Sequence, residues 1–179
     1  DGDVILLLGK TKEDLGGSEY LKVHHHREQG SPPFLSLETE KMLHDFVLNV
    51  IHEGSVQSAH DCSDGGLSIA LAECCISAPD TRRGAVIKLG LDTLRLDALL
   101  FGESQSRVVL SVKPGMVDRV LNSAWDSGIP ATKIGTVGGD RFVIDVEKGQ
   151  WSEGCHVDLP VDQLYDRWAF SIERSLNQA

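Results

Sequence analysis

His60-Asp61-Cys62-Ser63-Asp64-Gly65-Gly66 joins two apolar patterns of different period. Before it, Val56 to His60 has the length and composition of a short strand. After it, Leu67, Ala70, Leu71, Cys74 and Cys75 recur at helical spacing. Ile69, Ala72 and Ile76 make the opposite side apolar too, so this helix is expected to be buried nearly all round. A strand, a two-glycine turn and a buried helix are the parts of a layered α/β domain. The turn also puts backbone N–H groups at the positive end of a helix, where anions bind. Gly65 and Gly66 would let an oxygen approach without a Cβ in the way, and Ser63 can cap the helix or donate a hydrogen bond. Asp61 and Asp64 repel phosphate unless a metal ion or a basic residue intervenes. The same residues also suit an ordinary capped helix start.

Upstream, Val4 to Leu8 is a continuous apolar run that suits a strand covered on both faces. Thr11 to Leu21 reads as a loop leading into a short turn of helix, and His24 to Phe34 as an irregular connection. Leu43, Phe46, Val47, Val50 and Ile51 mark one face of a helix that Ser36 can cap and Gly54 can stop. Downstream, Ala85 to Leu89 and Val108 to Val112 read as strands, with a short helix near Leu96 to Phe101 between them. Pro114 opens a helix with Val117, Val120, Leu121 and Ala124 on its buried face, and Gly128 ends it. Thr132 to Val137 and Phe142 to Val146, separated by Gly138-Gly139-Asp140-Arg141, predict a hairpin. Val161, Leu164, Tyr165, Trp168 and Ile172 predict a last helix docked on the core. The expected fold is α/β (α+β), a mixed sheet flanked by helices, with residues 1–179 as a single domain.

Composition narrows the function classes. Residues are 41% hydrophobic and 25% charged, which suits a globular domain with a real core. A formal net charge of −10 argues against nucleic acid and anionic membranes as partners. The apolar runs are far shorter than a bilayer span, and no signal-peptide pattern opens the chain. Cys62, Cys74, Cys75 and Cys155 show no CxxC spacing, so reduced thiols in a cytoplasmic protein are expected. The chain opens on Asp1 and runs straight into a strand, which suggests a piece of a longer polypeptide.

Two further stretches are dense in polar groups. Phe101-Gly102-Glu103-Ser104-Gln105-Ser106-Arg107 can read a ligand's amide and hydroxyl groups, or it is a solvated loop in which Arg107 pairs with a surface acid. Asp14-Leu15-Gly16-Gly17-Ser18-Glu19-Tyr20 is a third glycine-bearing turn, or a plain connector. His24-His25-His26 lacks the spacing of a metal site and reads as a solvated loop, and no metal ligands are assigned. No Ser-His-Asp arrangement, paired-carboxylate motif or Walker loop is present, so no catalytic residue is assigned.

Taken in order, Asp14 to Leu21, His60 to Leu67 and Phe101 to Arg107 resemble motifs of the phosphoribosylformylglycinamidine synthase family, within the aminoimidazole ribonucleotide synthetase superfamily. The likeness runs over nearly the whole chain and is to a carboxy-terminal domain of that superfamily. It implies an ATP-dependent C–N ligase of purine biosynthesis that uses Mg²⁺ and glutamine-derived ammonia. It also implies barrel-forming domains in the same parent chain, with glutaminase and small accessory subunits as partners. The isolated domain is expected to be inactive, with most ATP and Mg²⁺ ligands on the absent domains. By this analogy Ser63, Asp64, Gly65, Gly66, Glu103, Ser104 and Gln105 face substrate or nucleotide. His-Asp-x-Ser-Asp-Gly-Gly-Leu with Phe-Gly-Glu-Ser-Gln-Ser-Arg is more similar to the second of the family's two related halves. There the equivalent stretch faces a pseudo-symmetric site that is structural or holds an auxiliary nucleotide. Cys62 stands where relatives often carry valine, so a small buried side chain is expected. A non-catalytic nucleotide-binding or assembly-stabilising domain is the alternative. Aminoimidazole ribonucleotide synthetase and thiamine monophosphate kinase share the architecture, but the Gly-Glu-Ser-Gln-Ser-Arg stretch argues against both.

Overall fold

The computed structural model describes residues 1–90, 94–149 and 153–177. Its strands are β1 (Val4–Leu8), β2 (Ser58–Asp61), β3 (Ala85–Leu89), β4 (Val108–Val112), β5 (Ala131–Val137), β6 (Arg141–Val146) and β7 (Cys155–Pro160). Its helices are α1 (Glu19–His25), α2 (Leu37–His52), α3 (Gly66–Ile76), α4 (Leu96–Phe101), α5 (Val117–Asp126), α6 (Val161–Ala169) and α7 (Ser171–Asn177). Among the described residues the strands form one sheet in the order β2-β4-β1-β5-β3-β6-β7. Neighbours are antiparallel except β3 and β6, which run parallel. This is the expected mixed sheet flanked by helices.

The strand period sorts β1 into two cores. Val4, Leu6 and Leu8 pack with Val108, Leu110 and Val112 of β4 against Leu43, Phe46 and Val50 of α2 and Val120 and Ala124 of α5. Ile5 and Leu7 face the other layer, where α3, α4 and α6 bring Leu67, Leu71, Leu99, Leu100 and Val161 over the sheet. All five β1 residues are buried, which is why the run lacks polar alternation.

Helix ends follow local chemistry. The Ser36 Oγ accepts the Thr39 N–H at 3.3 Å and caps α2. Ile51, expected on its buried face, lies at the margin of the stripe and is exposed. α3 is less enclosed than its sequence suggests: Ile69 and Cys74 face solvent, because α4 and α6 cover only part of its outer surface. α1 extends through His25, so two of the three histidines belong to a helix rather than to the irregular connection. His26 ends it in the left-handed region, at φ 52°. The strand expected at Val56 to His60 starts two residues later and ends one later, over Ser58–Asp61.

The hairpin expected from β5 and β6 does not form, because β3 lies between them. The Gly138–Asp140 link crosses the start of β3, where Gly84 N–H donates to Gly139 O and Gly138 N–H donates to Gly84 O. A Cβ on Gly84 would fall 2.3 Å from Arg141 O, so the crossing needs a glycine there. β7 was not anticipated and pairs antiparallel with β6. The tail is two helices that break at Phe170. Val161, Leu164 and Tyr165 dock on the core, whereas Trp168 and Ile172 are exposed. Arg82 fastens α6, with its guanidinium 4.3 Å from the Tyr165 ring centroid and 2.9 Å from Asp162.

Candidate functional site

The three polar motifs lie far apart in sequence and meet at one end of the sheet. Their junction is Glu103, immediately after α4. Glu103 Oε1 accepts the N–H of Gly65 at 2.9 Å and the N–H of Glu19 at 2.9 Å, so one carboxylate sits at the starts of both α3 and α1. A carboxylate is stabilising there because it meets unpaired amides at the positive ends of two helices. The Glu103 N–H donates to Asp14 O at 2.9 Å, which closes the link to the first motif. The Tyr20 and Phe101 rings stack beside it, centroids 5.0 Å apart and nearly parallel.

Ser104 is fully buried. Its Oγ accepts the Lys12 N–H at 3.0 Å. Arg107 is 2% exposed and does not pair with a surface acid, contrary to the solvated-loop alternative. Its Nε donates to Ser104 O (3.0 Å), Nη1 to Thr11 Oγ1 (3.2 Å) and Nη2 to Gly102 O (2.6 Å). Burial pushes its pKa below the usual guanidinium value, opposed by nearby Cys62, Asp14 and Glu103. The Cys62 N–H donates to Arg107 O at 3.0 Å and ties in the second motif.

The turn at 60–66 is built differently from an open anion cradle. The residue preceding α3 is Gly65, at φ 78°, and Ser63 makes no side-chain cap. The anion at this helix start is the chain's own Glu103. Gly66, at φ 72°, is buried, and a Cβ there would lie 2.5 Å from Gly102 O. The oxygen that needs this glycine is therefore a backbone carbonyl of the third motif. Cys62 is buried, and desolvation raises its thiol pKa to about 11, as the small-side-chain expectation requires.

The sequence-selected residues divide into two groups. Gly65, Gly66, Glu103 and Ser104 hold the motifs to one another. Ser63, Asp64 and Gln105 are exposed, with Gln105 Nε2 donating to Glu103 O at 3.2 Å. Ser63 and Gln105 line a polar cleft of about 140 Å³ together with Glu40, His44 and Asp61, with Arg107 beneath. Sequence reasoning missed Thr11 and Lys12, whose polar groups complete the junction, and nothing in the local pattern marks them. Among the described residues no group of three or more His, Cys, Asp and Glu side chains could hold a metal ion. All four cysteines are free. Among the described residues no helix is long and apolar enough to cross a membrane.

The phosphoribosylformylglycinamidine synthase subunit PurL of Caldanaerobacter subterraneus subsp. tengcongensis is 44% identical over 171 residues, 96% of this chain and 22% of its own length. The chain therefore spans about a fifth of that relative. The structure of Thermotoga maritima PurL complexed with FGAR superposes with a TM-score of 0.70 at 24% identity, over 92% of this chain and 28% of that one. T. maritima PurL complexed with ATP gives 0.63 at 23% identity, over 92% and 26%. Both show the same fold. A family model described as AIR synthase related protein, C-terminal domain, matches residues 1–147, and the chain belongs to that family.

Proposed function

We propose that this chain is one domain of a longer phosphoribosylformylglycinamidine synthase, which uses ATP to convert formylglycinamide ribonucleotide and glutamine-derived ammonia into the amidine in purine biosynthesis. The observation that carries this is the 44% identity to a PurL subunit across 96% of the chain. ATP supplies phosphoryl activation of the amide oxygen, after which ammonia displaces phosphate.

This chain's own part is to form a wall of an interdomain cleft. Ser63, Asp64 and Gln105 offer a hydroxyl, a carboxylate and an amide outward. Gly65, Gly66, Glu103 and Ser104 fix the backbone from which these project. Ligands for the Mg²⁺ that accompanies ATP are assigned to other domains of the parent. Barrel-forming domains of the same polypeptide complete the site, and the relative's designation as a subunit supports separate glutaminase and accessory partners. Free thiols support a cytoplasmic setting.

The parent chain, assayed with ATP, Mg²⁺, ammonia and formylglycinamide ribonucleotide, should form amidine, and the isolated 179 residues should not. A parent without amidine formation defeats the proposal, and turnover by the isolated domain defeats its interdomain part. The internal satisfaction of Glu103 and Arg107 favours a second role as an assembly-stabilising domain. Asp64→Asn and Gln105→Ala in the parent separate the two: changed kinetics at unchanged stability mark a ligand-facing wall, unchanged kinetics a structural one.

A further inference from the structure

Strand alternation puts Asp3 and Ile5 at the start of β1, Val109 and Ser111 of β4 and Ser58 of β2 on the sheet face that α3 covers. α3 ends at Ile76 and the chain loops through Ala78 and Thr81 to β3, leaving a pocket of about 220 Å³ between the last turn of the helix and the sheet. The floor is apolar: Ile5, Leu71, Cys75, Ala85 and Val109 line it, each no more than 5% exposed. An apolar cavity of about 150 Å³ already admits benzene, so a single ring with a short arm fits here. Ser58 and Ser111 pair at the far end of β2 and β4 from Asp61 and Val108. The pocket is therefore remote from the Glu103 junction and does not rest on the activity proposed for the parent.

The rim is polar. Among the described residues its charged members are Asp3 and Arg83. Arg83 Nη1 donates to Asp1, outside the pocket, at 3.2 Å. The partly buried Asp3 carboxylate makes no hydrogen bond or ion pair among the described residues. Glu38, Asp64 and Asp118 also lack ion pairs but stand in solvent, whereas Asp3 adjoins an apolar floor. The Ser58 and Ser111 hydroxyls bond to each other at 2.6 Å, which leaves lone pairs on both to accept from a ligand. Water over such a floor finds few partners, and its displacement by an apolar group is favourable. An unpaired carboxylate beside that floor selects a ligand with a cationic head and an apolar body. We propose that this pocket binds a small primary amine, its ammonium on Asp3 and the Ser58–Ser111 pair and its apolar body against Leu71, Cys75 and Val109.

The test is titration of the 179-residue chain with benzylamine, protonated at neutral pH, and with benzyl alcohol as its neutral counterpart, followed by amide chemical shifts. Benzylamine should shift residues 3–5, 58, 74–78, 81–85 and 109–111, and should bind about fivefold or more tightly than benzyl alcohol. Asp3→Asn should weaken benzylamine about fivefold or more and change benzyl alcohol less than about twofold. Raising the salt should weaken benzylamine more than benzyl alcohol. Ala85→Met, which fills the floor, should remove binding of both probes, and Asp3→Asn decides the matter if that variant does not fold. No binding of benzylamine, shifts centred elsewhere, or an affinity indifferent to Asp3→Asn would overturn the proposal. Benzyl alcohol binding as tightly as benzylamine would overturn the assignment to an amine.

Discussion

The Phe101–Arg107 junction and the Lys10–Lys12 cleft share the Gln105–Ser106 turn, and they treat polar groups in opposite ways. At the junction, a carboxylate and a hydroxyl are drawn inward to accept backbone N–H groups of distant segments, and a guanidinium donates to carbonyls of its own motif and to Thr11 Oγ1. In the cleft of about 520 Å³ lined by Lys10, Lys12, Phe34 and Gln105, the two ammonium groups make no ion pair among the described residues, beside an uncovered ring. Polar density in sequence therefore marks two different things here: residues that make the fold, and residues that remain available to something outside it. Stability should respond to changes at the first and be almost indifferent to changes at the second.

The largest effect belongs to Gly66→Ala. The left-handed backbone and the clash with Gly102 O together predict a loss of about 3–4 kcal/mol in urea unfolding of the isolated chain. Gly17→Ala, at the same φ of 72° but with nothing within 4 Å of the added carbon, should lose only about 1 kcal/mol. Equal losses would show that close packing of the motifs contributes nothing. Arg107→Met should follow, at about 3 kcal/mol, because Gly102 O, Ser104 O and Thr11 Oγ1 lose their donor inside the protein. The buried guanidinium's own desolvation cost offsets part of that loss.

Buried thiols give a smaller, pH-dependent effect. Burial raises Cys62 to about 11 and Cys75 to about 12, while an unfolded chain releases these protons near 9. The folded state therefore binds more protons above pH 9, and the stabilisation present below that pH is lost as pH rises toward 11 and 12. Unfolding at pH 10 should show a loss of about 1 kcal/mol per thiol relative to pH 8, and Cys62→Ala with Cys75→Ala should flatten the slope. The smallest effect is at the cleft: Lys10→Ala with Lys12→Ala should move stability by less than about 0.5 kcal/mol. A larger loss would mean that these lysines, too, belong to the fold.

Most of the layered core was legible because it depends on local periodicity. The apolar runs of β1 and β4, the stripe of α2 with its Ser36 cap and the helix after Gly65 all carry their burial in their own spacing. The hairpin misled because Gly138-Gly139-Asp140-Arg141 has local turn chemistry, whereas the insertion of β3 depends on contacts with Gly84, more than fifty residues away. β7 did carry a signal, the alternation of Cys155, Val157 and Leu159 with exposed neighbours, which the helical pattern after it overshadowed. Trp168 and Ile172 keep helical register across a break at Phe170 that spacing does not reveal. The motif residues were legible as unusual, but which of them face inward was not. That depends on pairing across 38 residues from Gly65 to Glu103 and 84 from Glu19 to Glu103.

Amide hydrogen exchange on the isolated chain with and without Glu103→Ala probes that pairing most directly. If one carboxylate holds the starts of α1 and α3, the amides of Glu19 and Gly65 lose protection together in the variant, while β1 and β4 keep theirs. Protection at Glu19 and Gly65 that survives the substitution would show that the three motifs are held by something other than Glu103.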